Sequence, residues 1–340
     1  MDRDKHDNPS SPQQAPHISA VVIGRNEGDR LVTCLESLLQ HTRQVVYVDS
    51  GSKDQSIENA LSRGVRVEQL DTTTPFTAAR ARNIGWRKAL QDFPDCEYIQ
   101  FIDGDCELNA QWLPLASDFL TQNRGYAIAC GRRRERYPHK TCYNELCDIE
   151  WNTPVGDALA CGGDALVRVA ALTQVGGYNP ALIAGEEPEM CFRLRQQGWK
   201  IRRMDMDMTL HDANMTTFSQ WWRRNQRAGY AYMIGYHLHG KSPEKFKARE
   251  LKGILLWTVM IPLVILALSA WLPFALLSLL IYPLQIIRLF LRYRLQFHDS
   301  KPAMLYGAAN VVGKFAQITG VLRFFRDRLT RRNATLIEYK

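Results

Sequence analysis

The feature that most constrains the fold is an apolar run from Gly253 to Ile287 that contains no Asp, Glu, Lys, Arg or His. As a single helix it would be about 50 Å long, against about 30 Å for the hydrocarbon core of a bilayer. Three prolines interrupt the run, at positions 262, 273 and 283. We therefore expect it to enter a membrane, either as one tilted span or as a hairpin or re-entrant pair that turns within residues 269–274.

Basic residues flank this run on both sides: Lys245, Lys247, Arg249 and Lys252 precede it, and Arg288, Arg292 and Arg294 follow it. Lys and Arg near membrane segments favour the cytoplasmic side, so a single crossing would place one cluster on the disfavoured side. A hairpin at residues 253–287 keeps both clusters inside and is the expected topology. A weaker apolar stretch, residues 303–325, is expected to lie in the interface or to add a crossing.

Charge is unevenly distributed along the chain, whose formal net charge is +8. The residues from Arg223 onward hold 19 Lys and Arg against 5 Asp and Glu, a charge of +14, which leaves −6 for the residues before them. A nucleic-acid-binding domain carries its basic residues on the folded body. An acidic body with a basic tail that flanks the apolar run indicates a membrane partner and no nucleic acid.

The N-terminus and the cysteines both indicate a cytosolic body. Residues 1–17 are polar and lack the apolar core of a signal peptide, so we expect a disordered leader. The eight cysteines form no CxxC pair, and no second pair accompanies Cys142 and Cys147 at zinc-site spacing. They are expected to be reduced thiols in the core or in loops.

The first part of the body alternates between strand and helix patterns. Short apolar runs at residues 17–24, 44–49 and 97–103 are strand-like, and residues 29–41, 54–64 and 77–91 have apolar side chains at helical spacing. This alternation predicts an α/β domain with a parallel sheet and helices on both faces. Beyond residue 105 the pattern is less regular: a helix is expected at residues 109–123 and a strand at residues 126–131, and a loop-rich stretch follows to about Gly156.

Polar clusters follow three of these strands, in the segments GRNE, DSGSKD and DGD. In such sheets ligands bind beyond the carboxyl ends of the strands. In the third cluster Asp103 and Asp105 are separated only by Gly104, so either or both carboxylates could face one cation. Mg²⁺ or Mn²⁺, which prefer oxygen ligands, would suit them; a solvated turn is the alternative.

Charged residues at the other strand ends suit a phosphorylated ligand. Asp49 and Asp54 could accept hydrogen bonds from a base or a sugar, or cap the helix that follows. Arg80 and Arg82 could reach a phosphate from the start of a helix, or be solvated.

Three acidic residues lie at the start of a later helix, namely Glu186, Glu187 and Glu189. The helix dipole alone favours acidic residues there. A general base that deprotonates an acceptor hydroxyl is the functional alternative.

The order of these motifs resembles family 2 glycosyltransferases, inverting enzymes with a GT-A fold, over roughly Ile18 to Tyr232. The matching segments are VVIGRNE, VDSGSKDQS, AARARNIG, FIDGDCEL, GGDALVRVAAL, GGYNP and GEEPEMCFRLRQQGWKI. Each is weak alone, but seven in the family's order are specific. The resemblance implies a Rossmann-like, mostly parallel sheet with helices on both faces, followed here by the C-terminal membrane helices.

The resemblance also implies roles for individual residues. The nucleotide-sugar would be bound by Arg25, Asn26, Glu27, Asp49, Asp54, Arg82, Asn83 and Asp103. The divalent metal, Mg²⁺ or Mn²⁺, would be bound by Asp105 with Asp103, and by His211, which resembles a histidine that completes the metal site in some relatives. Glu186 and Glu187 align with the family's Glu-Asp pair, in which the second member is the catalytic base.

Two departures from the family pattern bear on mechanism. The base position holds Glu187 instead of Asp, so Glu186 also remains a candidate. Processive synthases carry Gln-x-x-Arg-Trp, and here Arg224 stands where that tryptophan would be in the segment QWWRR that begins at Gln220. This difference favours transfer of one sugar per encounter over polymerisation.

The sequence therefore predicts a membrane-associated enzyme of bacterial type, with its catalytic domain on the cytoplasmic side of the inner membrane. It would transfer a sugar from a nucleotide-diphosphate donor, with UDP the expected nucleotide, to a saccharide or lipid-linked acceptor in cell-surface or exopolysaccharide biosynthesis. A polyprenyl-phosphate glycosyltransferase and a non-catalytic, membrane-anchored sugar-nucleotide binder are the alternatives. The expected divisions are a catalytic domain at 18–236, a basic linker at 237–252, the hairpin at 253–287 and a basic segment at 288–340. Residues 132–156 are expected to shape the acceptor pocket.

Overall fold

A computed structural model of the chain describes residues 17–71, 73–74, 76–297 and 299–330. The predicted leader therefore lies outside the described residues except for His17, and so do residues 331–340 of the predicted C-terminal segment.

A single mixed sheet forms the centre of the domain. Its strands are β1 (Ile18–Gly24), β2 (Val45–Asp49), β3 (Arg66–Gln69), β4 (Tyr98–Asp103), β5 (Cys106–Leu108), β6 (Tyr126–Glu135), β7 (Gly156–Asp157), β8 (Ala165–Arg168) and β9 (Lys200–His211). The order is β3-β2-β1-β4-β8-β6-β9-β5, with β7 paired to β9. The first four strands of this order are parallel, as the strand–helix alternation predicted.

The second half of the sheet is where it becomes mixed. Strand β8 is antiparallel to both β4 and β6, β6 is parallel to β9, and β5 is antiparallel to β9. As a result the carboxyl ends of β1, β2, β4, β6 and β9 all lie at the same edge. This edge is the one at which the polar clusters were predicted to meet.

Twelve α-helices are formed by the described residues: α1 (Asp29–Leu39), α2 (Ser56–Leu61), α3 (Ala78–Asp92), α4 (Trp112–Gln122), α5 (Cys142–Trp151), α6 (Val169–Gln174), α7 (Glu186–Gln196), α8 (Phe218–His239), α9 (Ala248–Leu255), α10 (Ile261–Ser269), α11 (Ile281–Phe297) and α12 (Ser300–Leu329).

Apolar side chains cover both faces of the sheet, because successive strand residues point to opposite sides. On β1, Ala20 and Val22 pack in the cluster that includes residues of α1 and α4. Val21 lies in the other cluster, with residues of α3, α6 and α7. The prediction of helices on both faces is confirmed.

Helix α3 approaches the sheet closely at Gly85. A Cβ atom at this position would overlap the side chain of Val21 on β1. A larger residue would push the start of α3, which carries Arg82, away from the strand ends.

The loop-rich stretch expected before Gly156 contains a helix, α5, and this expectation was wrong. Thr141 caps the helix by accepting a hydrogen bond from the Asn144 N–H at 3.1 Å. Leu146 and Cys147 pack against Trp221 of α8. The helix is held by these tertiary contacts, which a local pattern of apolar residues does not show.

The apolar run forms two helical segments. They extend over Ala248–Ser269 and Phe274–Phe297, and each is long and apolar enough to cross a membrane. A π-helical stretch, Leu256–Met260, joins α9 to α10, and a 3₁₀ stretch, Pro273–Leu280, leads into α11. The break lies where the sequence predicted the turn. Tyr282 contacts Trp257 with ring centroids 5.9 Å apart, so the segments run back along each other as a hairpin.

Helix α12 packs along α8 of the sheet domain. A Cβ atom at Gly229 on α8 would overlap the carbonyl oxygen of Gln317, and one at Gly320 on α12 would overlap that of Gln226. The two glycines therefore permit close approach of the two helix backbones. This contact joins the C-terminal helices to the sheet domain.

Candidate active site

Three predicted clusters meet at the carboxyl edge of the sheet. Gly24 of β1 is paired in register with Asp49 of β2, and Ile23 of β1 with Asp103 of β4. The turn after β1, which carries Arg25, Asn26 and Glu27, therefore lies beside both acidic clusters.

Hydrogen bonds join the turn after β1 to the loop after β2. Asn26 has a positive φ of 55°, and its side-chain oxygen accepts the Lys53 N–H at 2.8 Å. Asp54 accepts the N–H of Gly28 at 3.0 Å and that of Ser56 at 3.0 Å. Burial would raise the pKa of Asp54, but its hydrogen bonds to Ser56 and Gly28 hold it below the usual value. Asp54 thus serves the start of α2 and the β1 turn at once.

Asp49 is buried and organises its own loop. Its carboxylate accepts hydrogen bonds from the Tyr47 hydroxyl at 2.8 Å and from the backbone N–H groups of Gly51 at 2.9 Å and Ser52 at 2.8 Å. These bonds position the loop at the edge of the sheet.

A cavity of about 180 Å³ lies at this edge, which we call the strand-end cavity. It is lined by Ile23, Gly24, Arg25, Glu27, Ser50, Phe76, Thr77, Ala78, Ala81, Asp103, Asp105 and Arg227. The Arg25 guanidinium lies 4.5 Å from the centre of the Phe76 ring. The Arg227 side chain comes from α8, and no residue pattern indicated that this helix would reach the cavity.

Two arginines bind Asp103. Arg82 donates to one carboxylate oxygen at 2.7 Å, and Arg133 to the other at 3.4 Å. Burial raises the pKa of Asp103, but the guanidinium groups of Arg82 and Arg133 outweigh it and hold the pKa below the usual value. Asp103 is therefore ionised at neutral pH.

Arg82 also connects Asp103 to the start of α7. Its other terminal nitrogen donates to Glu186 at 2.9 Å, and its side chain is only 4% exposed. The neighbouring Asn83 is bound within the protein, because its amide donates to the Tyr178 carbonyl at 2.6 Å and accepts the Tyr178 N–H at 2.9 Å. The predicted contact of Asn83 with the nucleotide stays a prediction.

Asp105 and His211 are brought together by the pairing of β5 with β9, in which Cys106 lies opposite His211. The His211 Nε2 atom is 3.3 Å from the Asp105 carboxylate. One ligand atom each from Asp105, Cys106 and His211 lies within a 4.8 Å cluster. Burial raises the pKa of the Cys106 thiol well above its ordinary value, so it stays protonated. Carboxylate and imidazole remain, a donor pair that fits Mn²⁺ or Mg²⁺ with ligands added by water and phosphate.

Asp164 is a site residue that the sequence reasoning did not select. It is fully buried and forms an ion pair with Arg133 at 2.8 Å. It also accepts the backbone N–H of Asp103 at 3.1 Å and the Thr209 hydroxyl at 2.8 Å. Its segment, GGDALVRVAAL, was among the matching motifs, and that was the signal that could have identified it.

Arg133 was also missed, although it lies in the stretch expected to shape the acceptor pocket. Arg132 and Arg134 both bind Asp148, at 3.1 and 3.3 Å. Strand alternation sends Arg133 to the opposite side, toward Asp103 and Asp164. The run of three arginines gave no indication of which one enters the site.

The acidic pair at the start of α7 is buried, and its two members have different partners. Glu186 pairs with Arg82, as described above. Glu187 accepts the backbone N–H of Cys161 at 2.6 Å and the Cys191 thiol at 3.1 Å, which are both uncharged donors. Gly185, with a φ of 77°, precedes both residues and lies in a conformation that favours glycine.

Cys161 also lines a second cavity, of about 250 Å³, which we call the α5-side cavity. It is lined by Cys130, Gly131, Arg133, Glu150, Trp151, Thr153, Ala160, Cys161, Gly162, Gly163, Asp164, Arg203 and Met208. Arg133 and Asp164 face it, and Asp103 faces the strand-end cavity. The two cavities therefore lie on either side of the Asp103–Arg133–Asp164 cluster.

Comparison with known proteins gives matches along most of the chain. The model of glycosyl transferase family 2 matches residues 19–153, and that of glycosyl transferase family group 2 matches residues 152–295. An uncharacterized glycosyltransferase of Haemophilus influenzae is 35% identical over 101 residues, which cover 29% of this chain and 37% of that protein. Glycosyltransferase AglE of Haloferax volcanii is 23% identical over 199 residues, covering 55% of this chain and 64% of its own. The match thus spans less than two thirds of each of these relatives.

A solved structure shares the fold over nearly the whole chain. Mannosyltransferase PcManGT from Pyrobaculum calidifontis, in complex with GDP-Man and Mn²⁺, superposes with a TM-score of 0.61 at 17% identity, over 93% of this chain and 89% of that one. The predicted α/β fold of GT-A type is confirmed. Since the two family models together match residues 19–295, the chain belongs to glycosyltransferase family 2.

Proposed function

We propose that the protein is an inverting glycosyltransferase that moves one sugar from a nucleotide-diphosphate sugar to a hydroxyl of a saccharide or lipid-linked acceptor at a membrane. The observation that supports it best is the Arg82 bridge. This single side chain joins Asp103, at the end of β4, to Glu186, at the start of α7. It places the predicted donor side and the predicted base helix of the site next to each other.

The donor nucleotide would occupy the strand-end cavity. Arg25 and Glu27 line it, and the loops held by Asn26, Asp49 and Asp54 border it. Arg227 lines the same cavity and adds a positive charge where a diphosphate would lie. Binding of GDP-Man by the mannosyltransferase of shared fold makes GDP-sugars candidates beside UDP-sugars.

Asp105 and His211 would hold a divalent metal, with Asp103 beside them. The mannosyltransferase of shared fold binds Mn²⁺ together with its nucleotide sugar. When bound, such an ion offsets the negative charge that develops on the leaving diphosphate. Arg82 and Arg133 keep Asp103 ionised and orient its carboxylate.

Glu187 would act as the base. It takes the proton of the acceptor hydroxyl while the acceptor oxygen forms a bond to the anomeric carbon of the donor sugar. The bond from that carbon to the diphosphate oxygen breaks, and the diphosphate leaves with the electron pair. Because the oxygen attacks from the face opposite the leaving group, the configuration inverts. The uncharged donors around Glu187 hold the carboxylate in place without neutralising it.

The hairpin would anchor the enzyme in the inner membrane, with the catalytic domain on the cytoplasmic side. The hairpin topology keeps the basic residues on either side of it in the cytosol. An acceptor carried by a membrane lipid would then reach the site directly.

The test is metal-dependent turnover of a panel of nucleotide sugars by the full-length protein in detergent. Loss of a residue that only hydrogen-bonds to a metal ligand typically costs about 10- to 100-fold in activity. Because Asp105 is proposed to be a ligand itself, Asp105→Asn should reduce Mn²⁺-dependent donor hydrolysis by more than that. Asp118→Asn, at an exposed position on α4, is the matched control and should keep the wild-type rate. Asp105→Asn with the wild-type rate in excess EDTA would exclude the metal role. Nucleotide-sugar binding without any turnover would favour the non-catalytic binder.

A further inference from the structure

A polar cavity between helices lies apart from the two cavities of the site. Its volume is about 390 Å³, and helices α5, α8 and α12 enclose it. It is lined by Glu150, Arg224, Asn225, Ala228, Tyr232, Tyr306, Ala309, Asn310, Lys314 and Gln317. We call it the interhelical cavity. The site described above uses none of its basic residues.

The lining of the interhelical cavity suits an anion. Arg224 and Lys314 are its two cations, and Glu150, paired with Arg224, is its one acidic side chain. The Lys314 ammonium donates to the Gln317 side chain at 3.4 Å, and the more distant Glu250 is itself paired with Lys247 at 3.2 Å. Burial lowers the pKa of Lys314, because the buried ammonium has lost contacts with water. An anion bound beside the ammonium would replace those contacts.

Hydroxyl groups add neutral donors to this lining. Burial raises the pKa of Tyr232 to about 12, so its hydroxyl keeps a proton that it can donate. Tyr306 lines the opposite side, on α12. Two cations together with hydroxyl donors are the combination that binds phosphate oxygens.

The interhelical cavity lies at the level where the hairpin begins. The Lys314 Nζ atom is 3.9 Å from where a Cβ atom at Gly253 would lie, and Gly253 is the first residue of the apolar run. The next residue, Phe315, contacts Tyr282, with ring centroids 5.7 Å apart. Tyr282 in turn donates to the Trp257 carbonyl at 2.7 Å. With the predicted hairpin in a membrane, Lys314 would lie close to the membrane surface, because it adjoins the first residue of the apolar run.

The opposite side of the interhelical cavity faces the active site. Glu150 lines both this cavity and the α5-side cavity, next to Arg133 and Asp164. Arg227, less than one helical turn from Arg224, lines the strand-end cavity. A group held in the interhelical cavity would therefore lie between the membrane surface and the reacting atoms.

We propose that the interhelical cavity binds the phosphate or diphosphate headgroup of a membrane lipid that carries the acceptor hydroxyl. This inference rests on the proposed function and names the class of acceptor. The lipid chain would lie along the hairpin, and the headgroup would contact Lys314, Arg224 and Tyr232.

The experiment is native mass spectrometry of the full-length protein in detergent, with farnesyl phosphate, farnesol and inorganic phosphate as probes. Farnesyl phosphate should bind to the wild type. The Lys314→Met variant should bind it about tenfold or more weakly, because a charge-assisted hydrogen bond is lost. Lys314→Arg should retain most of the binding. Lys301→Met is the control, since it removes the same charge from an exposed position on α12.

The following results would contradict binding of a lipid headgroup in the interhelical cavity. Headgroup recognition would be overturned if wild type and Lys314→Met bound farnesyl phosphate equally well. It would also be overturned if the wild type bound farnesol as tightly as farnesyl phosphate. Inorganic phosphate that binds as tightly as farnesyl phosphate would exclude the lipid as the source of the phosphate. If Lys314→Met does not fold, Tyr232→Phe replaces it, because it removes only a hydroxyl and should also weaken binding. Mn²⁺-dependent binding of GDP and UDP is measured in parallel. If neither nucleotide binds, the proposed function is contradicted. If a nucleotide binds but farnesyl phosphate does not, only this inference is contradicted.

Discussion

Replacement of Glu187 by Gln tests the proposed chemistry most directly. Gln has the same shape as Glu but cannot accept a proton from the acceptor hydroxyl. Its side-chain oxygen can still accept the Cys161 N–H and the Cys191 thiol, which lie 2.6 and 3.1 Å from Glu187. The free energy of unfolding should therefore change little, and the effect on turnover can be attributed to chemistry.

The size of the effect follows from what a base contributes. General-base catalysis typically contributes about 10²- to 10⁴-fold, or about 3 to 5 kcal/mol of barrier at 1.36 kcal/mol per tenfold. The Glu187→Gln variant should lose that much in kcat, with the KM for the donor nearly unchanged. Glu186→Gln should lose less turnover. Its main effect would be on Arg82, which loses one of two carboxylate partners and keeps Asp103 at 2.7 Å.

The assay is the initial rate of transfer by the detergent-solubilised protein at saturating donor, compared between the wild type and the two variants. A larger loss in Glu186→Gln than in Glu187→Gln would assign the base to Glu186. Near-wild-type turnover in both variants would refute general-base catalysis and favour an acceptor that is already ionised, such as a lipid phosphate.

Three further predictions concern packing, thiols and the membrane. Gly229→Ala should destabilise the fold by about 1–3 kcal/mol relative to Gly253→Ala, because only the first places a Cβ atom against the Gln317 backbone; equal thermal unfolding temperatures would contradict the close helix contact. Cys142, which is exposed, should be alkylated by iodoacetamide at pH 8 long before the buried cysteines, and equal labelling by mass spectrometry would contradict their burial. The chain should stay in the membrane pellet after carbonate extraction, and a tag after residue 340 should resist external protease in intact cells. Release by carbonate would exclude integral insertion, and cleavage of the tag would support a single span.

Much of the parallel half of the fold could be predicted, because its signals are local. Apolar runs of strand length and apolar residues at helical spacing identify β1, β2, β4 and α1 to α3 without knowledge of their partners. The antiparallel position of β8 could not be predicted in the same way. Its placement between β4 and β6 depends on pairing of Tyr98 with Arg168, two residues far apart in the chain.

The residues of the candidate site also fall into two groups: those that local patterns place and those that only the tertiary structure brings together. Residues that follow strands, such as Asp49, Asp103 and Asp105, could be placed together because parallel strands end at one edge. The Arg82 bridge from Asp103 to Glu186 could not, since it joins segments separated by many elements. Asp164 was missed for a different reason: its one signal was its place in the matching motif GGDALVRVAAL, because a lone Asp before a short strand has no local pattern that distinguishes a buried ion pair from a solvated turn.

In helix α8 the spacing of polar and apolar residues does not reveal which cavity each side of the helix lines. Arg224, Ala228 and Tyr232 are spaced by four residues, so they share one stripe of the helix and together line the interhelical cavity. Arg227 lies beside this stripe and lines the strand-end cavity, while Gly229 faces α12. Helical spacing alone is equally consistent with a solvated basic face. The packing of α5, α12 and the sheet edge around α8 decides which side of this helix lines which cavity. As a result α8 contributes side chains to both the strand-end cavity and the interhelical cavity and also packs against α12. A change in the packing of α12 should therefore reach both cavities through α8.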